Sequence, residues 1–203
     1  MAGSRRKGSH QSEVRSRLIQ GAREIMRDEG CTAVTAGRLA QKIGLGRHIV
    51  HYYFGTIEEL LIEVIRCDGE EVRGQVDRML QEEFPLRTLW APSNPIAPQL
   101  FELIALAIRS EPIRCAVQEY TRLIRTMVTA AIQAELDRRG LTPVVPPVAI
   151  GLVVVGISQA LAGDSAIGLN DGHSEVEELL ENWIAGFERY GTWPLIDLTA
   201  QNH

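Results

Sequence analysis

Apolar residues recur at the spacing of an α-helix along almost the whole chain, and runs of β-branched residues are few. This pattern predicts an all-α protein. A first helix is predicted from about Glu13, capped by Ser12, to Asp28, and Gly30 is expected to end it. Its apolar stripe consists of Val14, Leu18, Ala22, Ile25 and Met26.

Two short helices joined by a turn at Gly44 are predicted within residues 35–55, which is the layout of a helix-turn-helix. Their apolar face consists of Leu39, Ala40, Ile43, Leu45, Ile49 and Val50. The other side chains of the second helix are Arg47, His48, His51 and Tyr52. Cations, hydrogen-bond donors and an aromatic ring on an outward face suit a helix that lies in the major groove of DNA and contacts base edges.

Further helices are predicted over residues 56–81, 98–109, 111–139, 147–162 and 174–190. Thr56 with Glu59, and Ser174 with Glu177, have the spacing of a capping box at a helix start. A Pro-rich break over residues 85–98 separates the first two of these helices, and a Gly-containing loop that starts at Gly163 separates the last two.

The charge is unevenly distributed in this chain, whose formal net charge is −5. Residues 1–55 carry 10 Lys and Arg against 4 Asp and Glu, a net of +6, and the remainder carries 11 against 22, a net of −11. Attraction to phosphates would therefore be confined to the amino-terminal quarter. We expect a disordered basic arm over residues 1–11, a DNA-binding domain over 12–55 and a second domain over 56–203. The arm, with Arg5, Arg6 and Lys7, is either a solvated tail or a segment that reaches phosphates or a minor groove.

Cys31, Cys67 and Cys115 lack the paired spacing of a zinc site and are expected to be reduced thiols in a cytoplasmic protein. No apolar segment approaches a membrane span of about 20 residues. The longest segment covers residues 144–157 and is broken by proline and glycine, and no cleavable signal precedes the first helix. The sequence therefore predicts no membrane partner.

Two other groups of residues have a chemical interpretation. His48 and His51 stand at i, i+3 and could share a metal ion, but no third ligand is expected on that face. Ser165, Asp164 and His173 are the residue types of a hydrolase triad, but no nucleophile elbow or strand-turn-helix context surrounds them. We therefore expect no metal, no cofactor and no enzymatic activity.

Residues 14–61 resemble the amino-terminal domain of the tetracycline-repressor (TetR) family of bacterial transcription regulators. The similarity rests on the Gly30 stop, the Thr35 start, Leu39-Ala40, Ile43-Gly44-Leu45 at the turn, and Phe54 ahead of Glu58-Glu59-Leu60-Leu61. Stop, start, turn and following helix occur together at the family's spacings. Four positions differ from the usual family residues: Gly46 replaces Ser, His48 replaces Gly, His51 replaces Tyr and Ile57 replaces Lys.

The resemblance implies that Thr35 binds a DNA phosphate through its hydroxyl and backbone amide. Arg38, Lys42 and Tyr53 would be further backbone anchors. Bases or their flanking phosphates would be faced by Arg47, His48, His51 and Tyr52. We take Arg47 as the first specificity residue, because an arginine on a guanine edge contributes about 1–3 kcal/mol of discrimination.

The last two helices are expected to form a homodimer interface. The helix over residues 147–162 is apolar on more than one side and must be covered on more than one side. The resemblance implies the same, since these regulators typically pair through their last two long helices into a four-helix bundle. The predicted interface residues are Leu152, Val155, Gly156, Ala160, Leu180, Trp183 and Phe187. Two-fold symmetry then predicts a palindromic operator.

By the same resemblance, a ligand chamber is expected among the helices over residues 56–139. The predicted lining residues are Trp90, Phe101, Ile104, Ile108, Tyr120, Ile124 and Met127, with Gln118, Glu119 and Arg122 as polar anchors. Helical periodicity would also place such apolar residues in an ordinary core. A mostly apolar wall would select a hydrophobic or amphipathic small molecule.

The sequence thus predicts a homodimeric regulator that binds a double-stranded DNA operator and a small hydrophobic ligand, and we expect a repressor that the ligand releases. Two alternatives stay open. One is a DNA-binding factor without a small-molecule inducer. The other is a helical carrier or binding protein whose helix-turn-helix is vestigial.

Overall fold

The computed structural model describes residues 3–79, 97–143 and 145–190. Within these ranges the regular structure is helical and contains no strand, so the predicted all-α class is confirmed. The α-helices of these ranges are α1 (Gly3–Glu29), α2 (Ala36–Ile43), α3 (Arg47–Phe54), α4 (Ile57–Met79), α5 (Ala97–Ala107), α6 (Glu111–Arg139), α7 (Pro147–Ala166) and α8 (His173–Tyr190). A short 3₁₀ helix, Cys31–Ala33, follows α1.

Helices α1 to α4 share a core of large apolar side chains. Its fully buried members include Leu18 and Ile25 on α1, Leu39 on α2, Val50 on α3 and Leu60 on α4. Burial of each such side chain contributes about 1.5–3 kcal/mol of hydrophobic stabilisation. The predicted apolar stripes of the first three helices are therefore the faces that pack together.

The turn between α2 and α3 depends on Gly44. Its φ of 69° and ψ of 35° lie in the left-handed region, which residues with a Cβ adopt at a cost of about 1–2 kcal/mol. The Gly44 and Leu45 amides both donate to the carbonyl of Ala40, the latter at 3.0 Å. These bonds end α2 and turn the chain into α3, as the sequence predicted.

Helix α1 begins earlier than predicted, at Gly3, so the segment expected to be a disordered arm is helical from that residue onward. Ser12 lies inside the helix instead of capping it, and its carbonyl accepts a hydrogen bond from the Ser16 hydroxyl at 3.0 Å. Extending an existing helix costs little, because each added residue gains one backbone hydrogen bond. The packed part of α1 supplies the nucleus for that extension.

The chain divides into two compact units that differ from the predicted boundary between residues 55 and 56. Unit 1 consists of Met1–Glu70 and Gln99–Tyr120, and unit 2 of Glu71–Pro98 and Thr121–His203. Helix α5 belongs with the helix-turn-helix because Glu102 Oε2 accepts the Cys31 amide hydrogen at 2.5 Å. The Ser110 hydroxyl likewise donates to the Glu58 carboxylate. The sequence did not reveal these links, because 71 positions separate Cys31 from Glu102.

The start of α4 confirms one predicted cap. The Glu59 amide donates to Thr56 Oγ1 at 3.1 Å, which satisfies one of the free N–H groups of the first turn. The predicted end of this helix at Gln81, Trp90, and the Pro-rich break up to residue 96 lie outside the described residues.

Unit 2 has its own apolar core. Its buried members are Val128, Ile132, Leu136, Ile150, Leu180 and Ile184, contributed by α6, α7 and α8. The sequence analysis predicted Leu180 in a dimer interface, whereas the protomer already buries it in this core. Leu180 is 2% exposed, and it shares its inward face with Ile184, one helical turn later.

The ends of α7 and α8 differ from the prediction in two respects. Helix α7 continues through Gly163 to Ala166, because Leu161 packs against the core and offsets the modest cost of a helical glycine. Helix α8 begins at His173, and the Ser174 hydroxyl donates to Glu175 Oε2 at 3.0 Å, so Ser174 lies in the first turn instead of capping it. The predicted capping box to Glu177 is not formed there.

Helix α7 corrects the expectation that no segment approaches a membrane span. Its 20 residues, Pro147–Ala166, are long and apolar enough to cross a membrane by length and composition alone. The predicted limit at residue 157 was too early because Leu161 and Ala162 extend the apolar run. Only a small part of this helix is buried inside the protomer.

Candidate nucleic-acid interface

The face of α2 that begins at Thr35 combines a hydroxyl with two cations. Thr35 has extended backbone angles and its Oγ1 accepts the Arg38 amide hydrogen at 3.1 Å, so it is the N-cap of α2. Its hydroxyl hydrogen remains a donor toward an external acceptor. Thr35, Arg38 and Lys42 follow at i, i+3 and i+7, which places them along one side of the helix.

Both cations of this face are paired with carboxylates of α1. The Arg38 guanidinium binds the Glu29 carboxylate through Nε at 3.1 and 2.8 Å and through Nη2 at 2.6 Å. The Lys42 ammonium lies 3.1 Å from Glu24 Oε2. The hydrogen bond from Arg38 lowers the pKa of Glu29, and the bond from Lys42 lowers the pKa of Glu24. The sequence analysis missed these two acids, since only tertiary packing brings α1 beside α2.

Arg17 also joins α1 to this motif. Its Nη2 donates to the carbonyl of Ile43 at 2.7 Å. The last carbonyls of a helix lack intrahelical partners, so this bond satisfies one of them at the end of α2. Arg17 therefore helps to hold the helix that carries Arg38 and Lys42.

Arg47, the predicted specificity residue, is exposed at the start of α3 and its guanidinium lies against α2. A Cβ built on Gly37 would be 3.2 Å from Arg47 Nε and from Nη2. Position 37 thus leaves the room that this side-chain conformation needs.

Two of the four departures from the family pattern are linked by geometry. The imidazole of His48 lies over the backbone of Gly46, where a Cβ would be 2.6 Å from Cε1 and 2.7 Å from Nδ1. A Ser at position 46 would require this ring to move, so the absence of a Cβ at Gly46 leaves room for the His48 conformation seen here.

His51 closes the end of α3. Its Nδ1 is 2.9 Å from the carbonyl oxygen of Gly55, whose amide in turn donates to the His51 carbonyl at 3.0 Å. A carbonyl only accepts, so Nδ1 carries a proton in this contact. The ring of Tyr52 meets that of Tyr53 edge-on, with centroids 5.2 Å apart, and Tyr52 is 69% exposed.

The geometry is less favourable for the two other interpretations, a metal site and a hydrolase triad. Within the described ranges, no set of three or more His, Cys, Asp and Glu residues could hold a metal ion. Ser165 Oγ lies 3.4 Å from His173 Nδ1, and His173 Nε2 lies 3.9 Å from Asp164 Oδ2. The structure thus brings this trio together, but the distance from Ser165 to His173 exceeds the roughly 2.6–3.2 Å expected between a nucleophile and its base, and the distance from His173 to Asp164 is too long for a hydrogen bond.

The described residues that were predicted to line a ligand chamber are distributed over both units. Phe101, Ile104, Ile108 and Tyr120 belong to unit 1, whereas Ile124 and Met127 belong to unit 2. On α5, Phe101, Ile104 and Ile108 are 46%, 42% and 75% exposed. Tyr120 and Met127 are buried, and burial raises the pKa of the Tyr120 hydroxyl to about 12 with help from Asp68. The predicted polar anchors Gln118, Glu119 and Arg122 are exposed.

The residues predicted for the dimer interface also separate. Leu152, Gly156 and Ala160 lie on an exposed side of α7, together with Val148. Val155 and Trp183 are half-buried and pack against the core of unit 2. The side chain of Phe187 lies outside the described residues.

Comparison with known proteins identifies relatives of the segment that contains the helix-turn-helix. Residues 18–64 match the profile of the family described as bacterial regulatory proteins, tetR family. The HTH-type transcriptional regulator BetI of Rhizobium meliloti is 38% identical over 131 residues, which cover 59% of this chain and 64% of BetI. The match therefore spans a little less than two thirds of that relative.

Solved structures share the fold over most of the chain. A TetR transcription regulator from Haloarcula marismortui superposes with a TM-score of 0.71 at 17% identity, over 86% of this chain and 98% of the other. A putative transcriptional regulator from Saccharomonospora viridis, in complex with choline, also gives 0.71, at 14% identity, over 88% and 97%. At these identities the likeness concerns the fold.

Proposed function

Because the chain belongs to the tetR family of bacterial regulatory proteins, we propose that it is a transcriptional regulator that binds operator DNA through α2 and α3. The observation that carries the proposal is the face of α2: an N-cap hydroxyl at Thr35 followed by cations at Arg38 and Lys42. Such a row of donors matches the phosphates that flank a major groove. Chromosomal DNA is its partner, which places the protein in the cytoplasm.

Helix α3 would supply the base contacts. Arg47 reaches a base edge, and His48 and Tyr52 contact bases or the sugar-phosphate backbone beside it. Tyr53 adds a backbone contact. His51 serves chiefly to fix the end of α3, because its Nδ1 is already bound to Gly55.

The protein would act as a homodimer joined through α7 and α8. The support is an exposed apolar stripe on α7, with Val148, Leu152, Gly156 and Ala160 at intervals of four residues. The small residues allow close approach of a partner helix, and an apolar stripe of this kind is unfavourable in water. A two-fold dimer would present two α3 helices to the half-sites of a palindromic operator.

We further propose that the regulator is a repressor released by a small hydrophobic or amphipathic molecule. The choline complex of the Saccharomonospora viridis protein makes organic amphiphiles the first class to test. The lining would come from the predicted residues Trp90, Phe101, Ile104, Ile108, Tyr120, Ile124 and Met127. Release requires that the ligand bind the low-affinity conformation more tightly than the DNA-bound one. Equal operator affinity with and without every compound tested would contradict this part.

DNA binding is tested by titrating the purified protein with its own upstream intergenic duplex and with a scrambled duplex of equal length, over a range of salt concentrations. We expect a preference of roughly a thousandfold or more for the native duplex. Arg47→Ala should reduce that preference by about five- to 150-fold, equivalent to one bidentate base contact. Arg125→Ala, an exposed arginine of unit 2, is the matched control and should leave it unchanged. Equal binding of both duplexes by the wild type would contradict sequence-specific recognition.

A further inference from the structure

We propose that Glu29 is a positioning residue for DNA binding, which holds the Arg38 guanidinium in the orientation that a phosphate requires. The proposal rests on the proposed function, since it concerns the same face of α2. A carboxylate beside a phosphate anchor would ordinarily repel DNA. The geometry of the Arg38 pair gives Glu29 the opposite effect.

The pair between Arg38 and Glu29 uses one edge of the guanidinium. Nε and Nη2 both donate to the carboxylate, at distances between 2.6 and 3.1 Å. A guanidinium is planar and has five N–H donors, so the two hydrogens of Nη1 and the second hydrogen of Nη2 remain directed away from this edge. A phosphate can therefore bind Arg38 while Glu29 stays in place.

The fixed orientation matters because arginine has a long, flexible side chain. Unrestrained, Arg38 would lose rotamer freedom each time it bound a phosphate. The bidentate contact with Glu29 removes much of that freedom before DNA arrives, which lowers the cost of binding. The Thr35 cap also restricts Arg38, because Thr35 Oγ1 accepts the hydrogen of the Arg38 backbone amide.

The neighbouring pair provides a contrast within the same surface. Lys42 contacts Glu24 through a single ammonium at 3.1 Å, and Glu24 also accepts a bond from Gln20 at 3.2 Å. An ammonium is a compact point charge whose three donors rotate about one bond, so the single contact with Glu24 neutralises Lys42 without fixing the direction of its other donors. Both carboxylates lie on α1 and are similarly exposed, at 34% for Glu29 and 35% for Glu24. Their replacement by glutamine changes the charge equally.

The experiment measures operator affinity against salt concentration for the full-length wild type, Glu29→Gln, Glu24→Gln, Arg38→Ala and the double variant Arg38→Ala with Glu29→Gln. Removing an acid near DNA generally raises affinity. We expect Glu29→Gln to bind about three- to tenfold more weakly, because the anchor is no longer held in its orientation. Its salt slope should fall by up to about 0.9 for each phosphate that the protein no longer neutralises. Glu24→Gln should bind as tightly as the wild type or more tightly.

The double variant separates positioning from a general change of structure. In the Arg38→Ala background, Glu29→Gln should no longer weaken binding, and thermal melts should show that each variant is folded. Unchanged or tighter binding by Glu29→Gln, with Arg38→Ala weakened, would overturn the positioning role and leave the proposed function standing. Weakening by Glu29→Gln of the same size in both backgrounds would overturn it as well. A wild type that does not distinguish the native from the scrambled duplex would instead contradict the proposed function.

Discussion

Replacing Leu152 by glutamate on both protomers should break the proposed dimer and leave the protomer folded. Leu152 is 49% exposed in the protomer, so the substitution does not open its core. In a dimer through α7 and α8, the same side chain would be covered by the partner. The two carboxylates would then be buried close to the symmetry axis.

The size of the effect follows from the exposed large apolar side chains of α7 and α8. Val148, Leu152, Val153 and Leu179 leave 60%, 49%, 46% and 45% of their surfaces exposed. Full burial of such a side chain contributes about 1.5–3 kcal/mol, so covering the remaining half contributes about 1 kcal/mol each and roughly 8 kcal/mol for the two protomers. Leu152→Glu removes about 2 kcal/mol of this and adds the cost of two desolvated carboxylates, which is at least about 1–3 kcal/mol. A total near 4 kcal/mol weakens the dimer by about a thousandfold.

Sedimentation velocity over a hundredfold range of protein concentration measures this change. The wild type should sediment as a dimer and Leu152→Glu as a monomer at the same concentrations, and circular dichroism should show the same helical content for both. The melting temperature of the variant should be lower, because dimerisation stabilises the native state. Ile108→Glu is the control, because Ile108 is 75% exposed on unit 1 and far along the chain from α7. The reasoning is refuted if Leu152→Glu sediments like the wild type, or if the wild type is a monomer throughout.

Three further predictions concern the cap at Thr35, two glycines and the cysteines. Thr35→Val should lower the stability by about 0.5–2 kcal/mol through loss of the α2 cap and should also weaken operator binding, whereas Thr35→Ser should preserve both; equal thermal melts and affinities for the two variants would contradict this role. Gly44→Ala should lower the free energy of unfolding by about 1–2 kcal/mol because of its positive φ. Gly74→Ala, in an open helical position, should raise the free energy of unfolding by up to about 1 kcal/mol. Urea unfolding of the two variants and the wild type checks that the two changes have opposite signs. Burial, together with a neighbouring carboxylate, raises the pKa of the Cys31 thiol to about 12, so at pH 8 iodoacetamide should label the exposed Cys115 first. Labelling of Cys31 should lag by roughly a thousandfold, in proportion to its thiolate fraction, and should accelerate as the pH rises toward 12; mass spectrometry that found Cys31 modified first would contradict its burial.

Local signals predicted the helix boundaries that depend on one or two residues. Gly30, Gly44 and Gly140 follow helix ends and have positive φ angles, and the Thr56 cap forms as its spacing indicated. These features succeed from sequence because their hydrogen bonds join residues only three to five positions apart. The predicted cap at Ser12 does not form, because the residues before Ser12 extend the helix at little cost.

The side of a helix that a residue occupies was harder to predict. Leu180 and Leu152 are both leucines in apolar helices, yet the first lies in the core of unit 2 and the second on its surface. Periodicity identifies an apolar stripe, but it does not say whether the stripe meets the same protomer or another copy. The candidate ligand residues show the same limit, since their spacing alone does not distinguish a cavity wall from an ordinary core, and they stay a prediction.

The sequence by itself determined the helical class and the helix-turn-helix, because these depend on periodicity and on glycine at a turn. The DNA contacts that side-chain chemistry suggested stay a prediction. The tertiary structure alone decided which acids accompany the anchors: Glu29 beside Arg38 and Glu24 beside Lys42. It also joined α5 to the turn after α1 through Glu102 and Cys31. Such partners lie far apart in the chain, and their pairing depends on how whole helices pack, which no local pattern of residues encodes.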